Sequence, residues 1–251
     1  MPAAVAAASA VDLPLRNRGV FPGDLLQAVS AFQTVLIGPG VAREAEDLVA
    51  TRAGILRWDA EHHRLWVEND QKRYIPALGD HVIGIVTDKN GEEYRLDVGA
   101  AAPASLPILA FDGASKRNRP QLQVGTLVYC RVVVANRDME PEVSCKAPPG
   151  VGAAKDWVTR ESVFGELTGG HVFDCPQILC RDLLDADGPL LDALGGVGAF
   201  ELAVGVNGRV WLDAEHETMV VLVQSAVLQS QGRPLSEHAA LVKSLSQGYG
   251  V

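Results

Sequence analysis

Lys116, Arg117 and Arg119 place three cations within four consecutive positions, with Asn118 among them and Pro120 behind. Those residue types suit contact with a phosphate-bearing strand. A guanidinium holds a phosphate through two donors, and a carboxamide meets a base edge or a sugar hydroxyl. If all three cations met phosphates of a single strand, affinity would fall with salt at a slope of about −2, from roughly 0.7 per contact. Read alone, such a run is a solvated loop, so the elements around it decide.

Other residues invite chemistry and fail on spacing. His62 and His63 are adjacent, but they fall at the tip of an expected hairpin with no ligand partner nearby. Cys130, Cys145, Cys175 and Cys180 form no Cys-x-x-Cys pair, so no structural zinc is expected. Asp182, Asp185 and Asp187 resemble the start of a calcium loop. The twelfth position, however, is Ala193 counted from Asp182 and Gly196 counted from Asp185, and neither chelates. No phosphate-binding glycine loop, His-Glu-x-x-His helix or Gly-x-Ser-x-Gly elbow occurs. The expectation is a non-catalytic protein with no metal, no cofactor and no small-molecule substrate.

The basic run sits among short strands. Gly79–Thr87 and Tyr94–Val98 read as a hairpin, turned at Asn90-Gly91 because both residues tolerate positive φ. Tyr94, Leu96 and Val98 alternate onto one face. Ser105–Leu109, Leu127–Val134 and Glu142–Cys145 complete five strands in about seventy residues, the pattern of a small closed barrel of the oligonucleotide-binding type. In such a barrel His81 reads as a strand residue, and Tyr94, Phe111 and Tyr129 are the candidate stacking aromatics, although Phe and Tyr in small barrels are more often core.

Residues 20–77 read as an N-terminal β domain. It holds a turn at Pro22-Gly23-Asp24, a strand over Thr34–Gly38, and a hairpin of Gly54–Trp58 with Arg64–Val67, whose Trp58 and Trp66 are expected on one face. Residues 78–147 hold the barrel. After Pro148-Pro149-Gly150, residues 152–245 read as α+β: a strand over Ser162–Leu167, a helix over Pro176–Leu184, a short helix near Leu190, strands at Ala199–Val204 and Arg209–Asp213, then helices over His216–Gln229 and Leu235–Leu245. A β-α-α-β-β-α order is the KH plan. The fold class is therefore mixed β and α+β, with residues 1–19 a disordered tail.

Charge divides unevenly along these segments. Residues 1–77 and 78–147 each carry 8 Lys/Arg against 9 Asp/Glu, whereas 152–245 carry 6 against 13. The C-terminal third thus holds most of the net charge of −9 and would attract a polyanion poorly. No stretch approaches the ~20 apolar residues of a membrane span, and no basic residue precedes the apolar start, so a soluble intracellular protein is expected.

Several separate words resemble one family. Gly79-Asp80-His81-Val82-Ile83-Gly84-Ile85-Val86, Pro103-Ala104-Ser105-Leu106, Lys116–Pro120 and Val133–Glu142 are similar, in order, to the S1 domain of the eukaryotic RNA exosome's S1/KH cap subunits, most closely the component 3 type. The likeness runs over roughly residues 20–245. It implies an RNA-binding cap that stabilises a ring of RNase PH-like subunits beside other cap subunits and guides single-stranded RNA to the central channel. Nucleus, nucleolus and cytoplasm would be its locations. Lys116, Arg117, Asn118, Arg119 and Ser105 would be its RNA contacts, and Pro22, Gly23 and Asp24 a ring contact. The family's Gly-x-Asn-Gly, here Gly205-Val206-Asn207-Gly208, would be a structural motif between S1 and KH, with Trp211 beside it.

That motif is no RNA clamp. A KH domain grips RNA with a Gly-x-x-Gly loop between its early helices. Here the Gly-x-x-Gly lies between two strands, and Asp185-Ala186-Asp187-Gly188 stands between the helices, where its acids repel phosphate. Two other readings stay open: the sister component 2 of the cap, and an independent S1/KH RNA-binding regulator. A nuclease of the polynucleotide phosphorylase kind needs catalytic domains for which 251 residues leave no room.

Overall fold

The structure, a computed structural model, describes residues 18–32, 34–71, 73–136, 138–148, 163–184 and 188–249. Most of the expected tail, and Asp185 and Asp187 of the acidic loop, lie outside them. The chain divides into two units, Met1–Asp70 and Gln71–Val251.

The first unit is all β. Strands β1 (Arg18–Val20), β6 (Gly54–Asp59), β7 (Arg64–Glu68) and β3 (Leu36–Ile37) form one sheet, in the order β1-β6-β7-β3. Strands β2 (Leu25–Ala28), β5 (Asp47–Ala50) and β4 (Val41–Glu44) form the other. Arg18 and Gly19, expected in the tail, are thus strand residues paired with Leu56 and Ile55. Val20, Leu26, Leu48, Leu56 and Leu65 fill the core. The tryptophans do not share a face. The turn between β6 and β7 sets Trp58 opposite Leu65 and Trp66 opposite Arg57, and an offset of one residue reverses the side of a strand. Trp58 packs on this core and against Phe32 at 5.2 Å, whereas Trp66 lies 5.7 Å beneath the Arg64 guanidinium.

The second unit opens on the barrel. Strands β8 (His81–Lys89), β9 (Glu93–Asp97), β10 (Ala104–Pro107), β12 (Glu142–Ser144) and β11 (Leu127–Val134) follow one another round the ring, and the β11–β12 and β11–β8 pairings close it. Val82, Val86, Leu96, Leu106, Val128 and Val143 point inward. So do Tyr94 and Phe111, whereas Tyr129, next to Val128 on β11, faces the other way, its hydroxyl donating to Val204 O at 3.4 Å. All three are at 8 % exposure or less, which takes them away from base stacking. The β8–β9 turn uses no positive φ at Asn90 or Gly91. The Asn90 Oδ1 instead accepts the Glu92 and Glu93 N–H groups, at 2.8 and 2.7 Å, so a side-chain turn replaces the left-handed one. Tyr74, expected in the N-terminal domain, is buried in the barrel core, its hydroxyl donating to Asp80 Oδ2 at 2.6 Å.

Strand β13 (Gly165–Leu167) corrects the expected C-terminal plan. It pairs with β11 and so extends the barrel sheet. The strand that opens the C-terminal α+β layer is β14 (His171–Asp174), in the sheet β14-β16-β15 with β15 (Glu201–Gly205) and β16 (Arg209–Asp213). Gly169 and Gly170, both at positive φ, bring the chain from one sheet to the other. Helices α1 (Gln177–Leu184), α2 (Pro189–Gly195), α3 (Glu217–Ser230) and α4 (His238–Tyr249) accompany this sheet. Leu179, Leu183, Leu194, Leu212, Leu222 and Val227 join the two layers in one core. The order β14-α1-α2-β15-β16-α3 is the KH plan, with α4 added.

Candidate nucleic-acid interface

The basic run is a loop held rigidly at its ends and open in the middle. On one side Phe111 bridges to Cys145, and the Ala114 N–H donates to Phe111 O at 3.2 Å. On the other, the buried Tyr94 hydroxyl donates to Pro120 O at 2.6 Å and accepts the Leu122 N–H at 3.3 Å. Between these anchors Ser115 and Asn118 exchange main-chain bonds of 2.9 and 3.1 Å, closing a tight turn. The Arg119 Nε donates to Lys116 O at 3.0 Å. Lys116, Arg117, Asn118 and Arg119 are all exposed. Among the described residues none of the three cations forms an ion pair. The loop therefore presents three uncommitted charges on a fixed stem, the arrangement a backbone-tracking contact needs.

Ser105 sits apart from that turn, on the outer face of β10. Its hydroxyl donates to Glu93 Oε2 and its N–H to Pro141 O. Arg95, beside Glu93 on β9, pairs with both Glu93 and Glu140. This face is thus an internally satisfied network of Ser105, Glu93, Arg95 and Glu140, a grouping to which only Ser105 was a sequence clue.

Gly205–Gly208 turns from β15 into β16 against the barrel. Asn207, at 9 % exposure, lies across the junction. Its Oδ1 accepts the Ile83 N–H at 3.2 Å, and its Nδ2 donates to Ile83 O at 2.9 Å and Val98 O at 3.1 Å. The Val206 N–H donates to His81 O at 2.9 Å. Gly208 has φ +88, and its carbonyl accepts the Cys175 N–H at 2.8 Å. A Cβ at Gly205 would stand 2.3 Å from Asn207 Oδ1 and 2.8 Å from Ile83 N. That crowding explains the glycine. Trp211, also buried, donates from Nε1 to Gly169 O at 3.0 Å, and Gly170 could not carry a Cβ, which would meet its ring at 2.7 Å.

Arg209, unmarked by any motif, completes the junction. Its Nη1 donates to Asp97 O at 2.6 Å and Ile83 O at 3.3 Å, and its Nη2 meets Asp97 Oδ2 at 2.6 Å. Burial pushes the Asp97 carboxyl up, but the Gly99 N–H and the Arg209 guanidinium outweigh it and hold the group below its ordinary value. The available signal was position: Arg209 directly follows Gly208. Nearby, Phe164 stacks on Tyr129 at 5.3 Å and meets His81 edge-on at 5.0 Å. Burial, then the Arg131 charge, lowers the His81 value, which suits a packed strand residue.

The remaining candidates fall elsewhere. Pro22-Gly23-Asp24 forms a tight turn in the first unit, with Gly23 at φ +92, its N–H on Ala50 O at 2.8 Å, and Asp24 Oδ2 accepting the Phe21 N–H at 2.9 Å. Phe21 and Leu25 flank it at 69 % and 64 % exposure. His62 binds Asp59 at 2.7 Å in the exposed hairpin loop. The four cysteines are free and buried, and among the described residues no group of His, Cys, Asp and Glu could hold a metal ion.

Comparison with known proteins gives these elements a common origin. A family profile described as "Exosome complex component RRP40, S1 domain" matches residues 74–154, a KH domain profile matches 170–218, and "Exosome complex exonuclease Rrp40 N-terminal domain" matches 35–73. The exosome complex component RRP40 of Drosophila melanogaster is 42 % identical over 211 residues, covering 83 % of this chain and 87 % of the relative. The chain belongs to the RRP40 family. The human exosome complex component RRP40 is 40 % identical over 186 residues, 72 % of this chain and 65 % of that one. The Saccharomyces cerevisiae RRP40 is 33 % identical over 204 residues, 78 % and 81 % respectively. A solved structure described as "Crystal structure of putative exosome complex RNA-binding protein" superimposes with TM-score 0.54 over 70 % of this chain and 98 % of that one, at 16 % identity, a likeness of fold. The RRP40-family S1 match spans the basic loop and Ser105. The KH match ends inside α3 and takes in the Asn207 junction. Among the described residues no helix is long and apolar enough to cross a membrane.

Proposed function

We propose that this chain is a non-catalytic, RNA-binding cap subunit of the RNA exosome, of the component 3 type. It stabilises a ring of RNase PH-like subunits alongside other cap subunits and steers single-stranded RNA to the central channel for 3′–5′ processing and degradation. The observation that carries the RNA part of this reading is the Lys116–Arg119 turn: exposed, free of ion pairs among the described residues, and pinned at Tyr94 and Pro120 on the rim of an oligonucleotide-binding barrel. Lys116, Arg117 and Arg119 hold phosphates and Asn118 meets a base or sugar, while Ser105, whose hydroxyl already donates to Glu93, is the weaker contact further along the path. The KH layer adds scaffold and no clamp, since its Gly-x-x-Gly faces the barrel. Pro22, Gly23 and Asp24, with exposed Phe21 and Leu25 beside them, make a ring contact. No membrane or small-molecule partner enters this reading, and its locations are nucleus, nucleolus and cytoplasm.

The purified chain, mixed with ring and remaining cap subunits, should enter the assembled complex stoichiometrically on size-exclusion chromatography. Alone it should leave a 5′-labelled single-stranded RNA intact, with or without magnesium. Cleavage that tracks the chain through purification would overturn the non-catalytic reading, and exclusion from the ring would overturn the cap assignment.

A further inference from the structure

A groove of ≈ 400 Å³ opens in the KH layer between the turn that precedes β15 and the link from β16 to α3, a volume within the usual range of ligand clefts. Val197, Phe200 and the buried Met219 give it an apolar lining. Glu201, Asp213 and Glu215 line it as well, and no Lys or Arg does. Glu201 and Asp213 are direct partners in the β15–β16 ladder, where like charges repel. Among the described residues none of the three carboxylates forms an ion pair. Helix α3 starts at the same place. His216 at its N-cap makes no side-chain capping bond, so the N–H groups of Glu217 and Thr218 have no acceptor within the helix.

We propose that this groove docks a basic peptide segment of a partner protein. Three features converge on that occupant. The carboxylates call for a cation, the first-turn N–H groups for a carbonyl, and the apolar lining for an alkyl chain. A Lys or Arg within a peptide brings all three: its charged head, its main-chain carbonyl and its methylene stem. An RNA strand is the wrong ligand, because its phosphates would face three carboxylates in the most acidic third of the chain. The site is independent of the Lys116–Arg119 loop and does not rest on its role.

The test uses the full chain and two capped peptides, acetyl-Arg-Leu-Arg-amide and acetyl-Glu-Leu-Glu-amide, followed by amide shifts in ¹H–¹⁵N spectra. The basic peptide should give saturable shifts centred on Phe200, Thr218 and Met219, with a Kd on the order of a millimolar for so small a ligand. Binding should weaken with salt, and by about tenfold in the double variant Glu201→Gln/Glu215→Gln, which alters only exposed side chains. The acidic peptide should not shift these amides. Equal shifts from both peptides, unchanged affinity in the double variant, or no saturable shift at tenfold that concentration would each overturn the proposal.

Discussion

Two short loops of this chain carry the vocabulary of RNA binding, and they have opposite fates. Lys116–Arg119 is exposed, its hydrogen bonds stay within its own turn, and its three cations form no ion pair among the described residues. Gly205–Gly208 has the Gly-x-x-Gly form of a KH clamp, yet its Asn207 spends three bonds on Ile83 and Val98 of the barrel. What separates them is the destination of their polar groups. A loop whose donors are already used within the fold has nothing left for a ligand, whatever its sequence resembles. The contrast assigns stability to one loop and RNA to the other, so variants should divide the same way.

The sharpest division is expected at Asn207. Asn207→Ala leaves buried groups of Ile83 and Val98 without partners, and unfolding of the full chain in urea should lose about 3 kcal/mol. A loss below about 1 kcal/mol would erase the distinction between the loops. Next comes Arg209→Lys, which cannot span Asp97 O and Asp97 Oδ2 with a planar fork; a loss of about 1–2 kcal/mol is expected in the same assay. A smaller effect follows from pH. Because the folded Asp97 value lies below the ordinary 3.8, its contribution is complete above that value and is lost as pH falls through the lowered one. The wild-type melting temperature should therefore drop more steeply than that of Asp97→Asn as pH falls below 3.8. Smallest of all, Lys116→Glu/Arg117→Glu/Arg119→Glu should change stability by no more than about 0.5 kcal/mol, since its side chains are exposed and hold no ion pair among the described residues. A larger loss would mean that the basic loop, too, is structural.

The barrel was legible because Tyr94, Leu96 and Val98 alternate and the turns between its short strands carry Gly and Asn, so period and punctuation agree. The basic loop was legible because four polar residues stood together between strands. The Asn207 junction was suggested by family likeness and by the misplacement of its glycines, but its partners lie 109 and 124 positions away, beyond any local pattern. Arg209 was missed for the same reason: Asp97 is 112 residues distant. Trp58 and Trp66 went wrong because two strands alone do not reveal their register, which the turn between them sets. Strand β13 was placed in the wrong layer because three residues, Gly165-Glu166-Leu167, carry no sign of which sheet they join. Local chemistry is written in local sequence, while the partner of a buried polar group is a property of the whole fold.

The central claim is that the exposed loop touches RNA while the buried one supports it. The most direct measurement is nuclease protection of a single-stranded RNA on the reconstituted complex, comparing wild-type chain with Lys116→Glu/Arg117→Glu/Arg119→Glu after equal assembly has been verified. The account predicts that the charge-reversed complex assembles normally and protects less RNA, with a weaker dependence on salt. Unchanged protection and an unchanged salt slope would contradict it, leaving the chain a structural clamp whose RNA path runs over its neighbours.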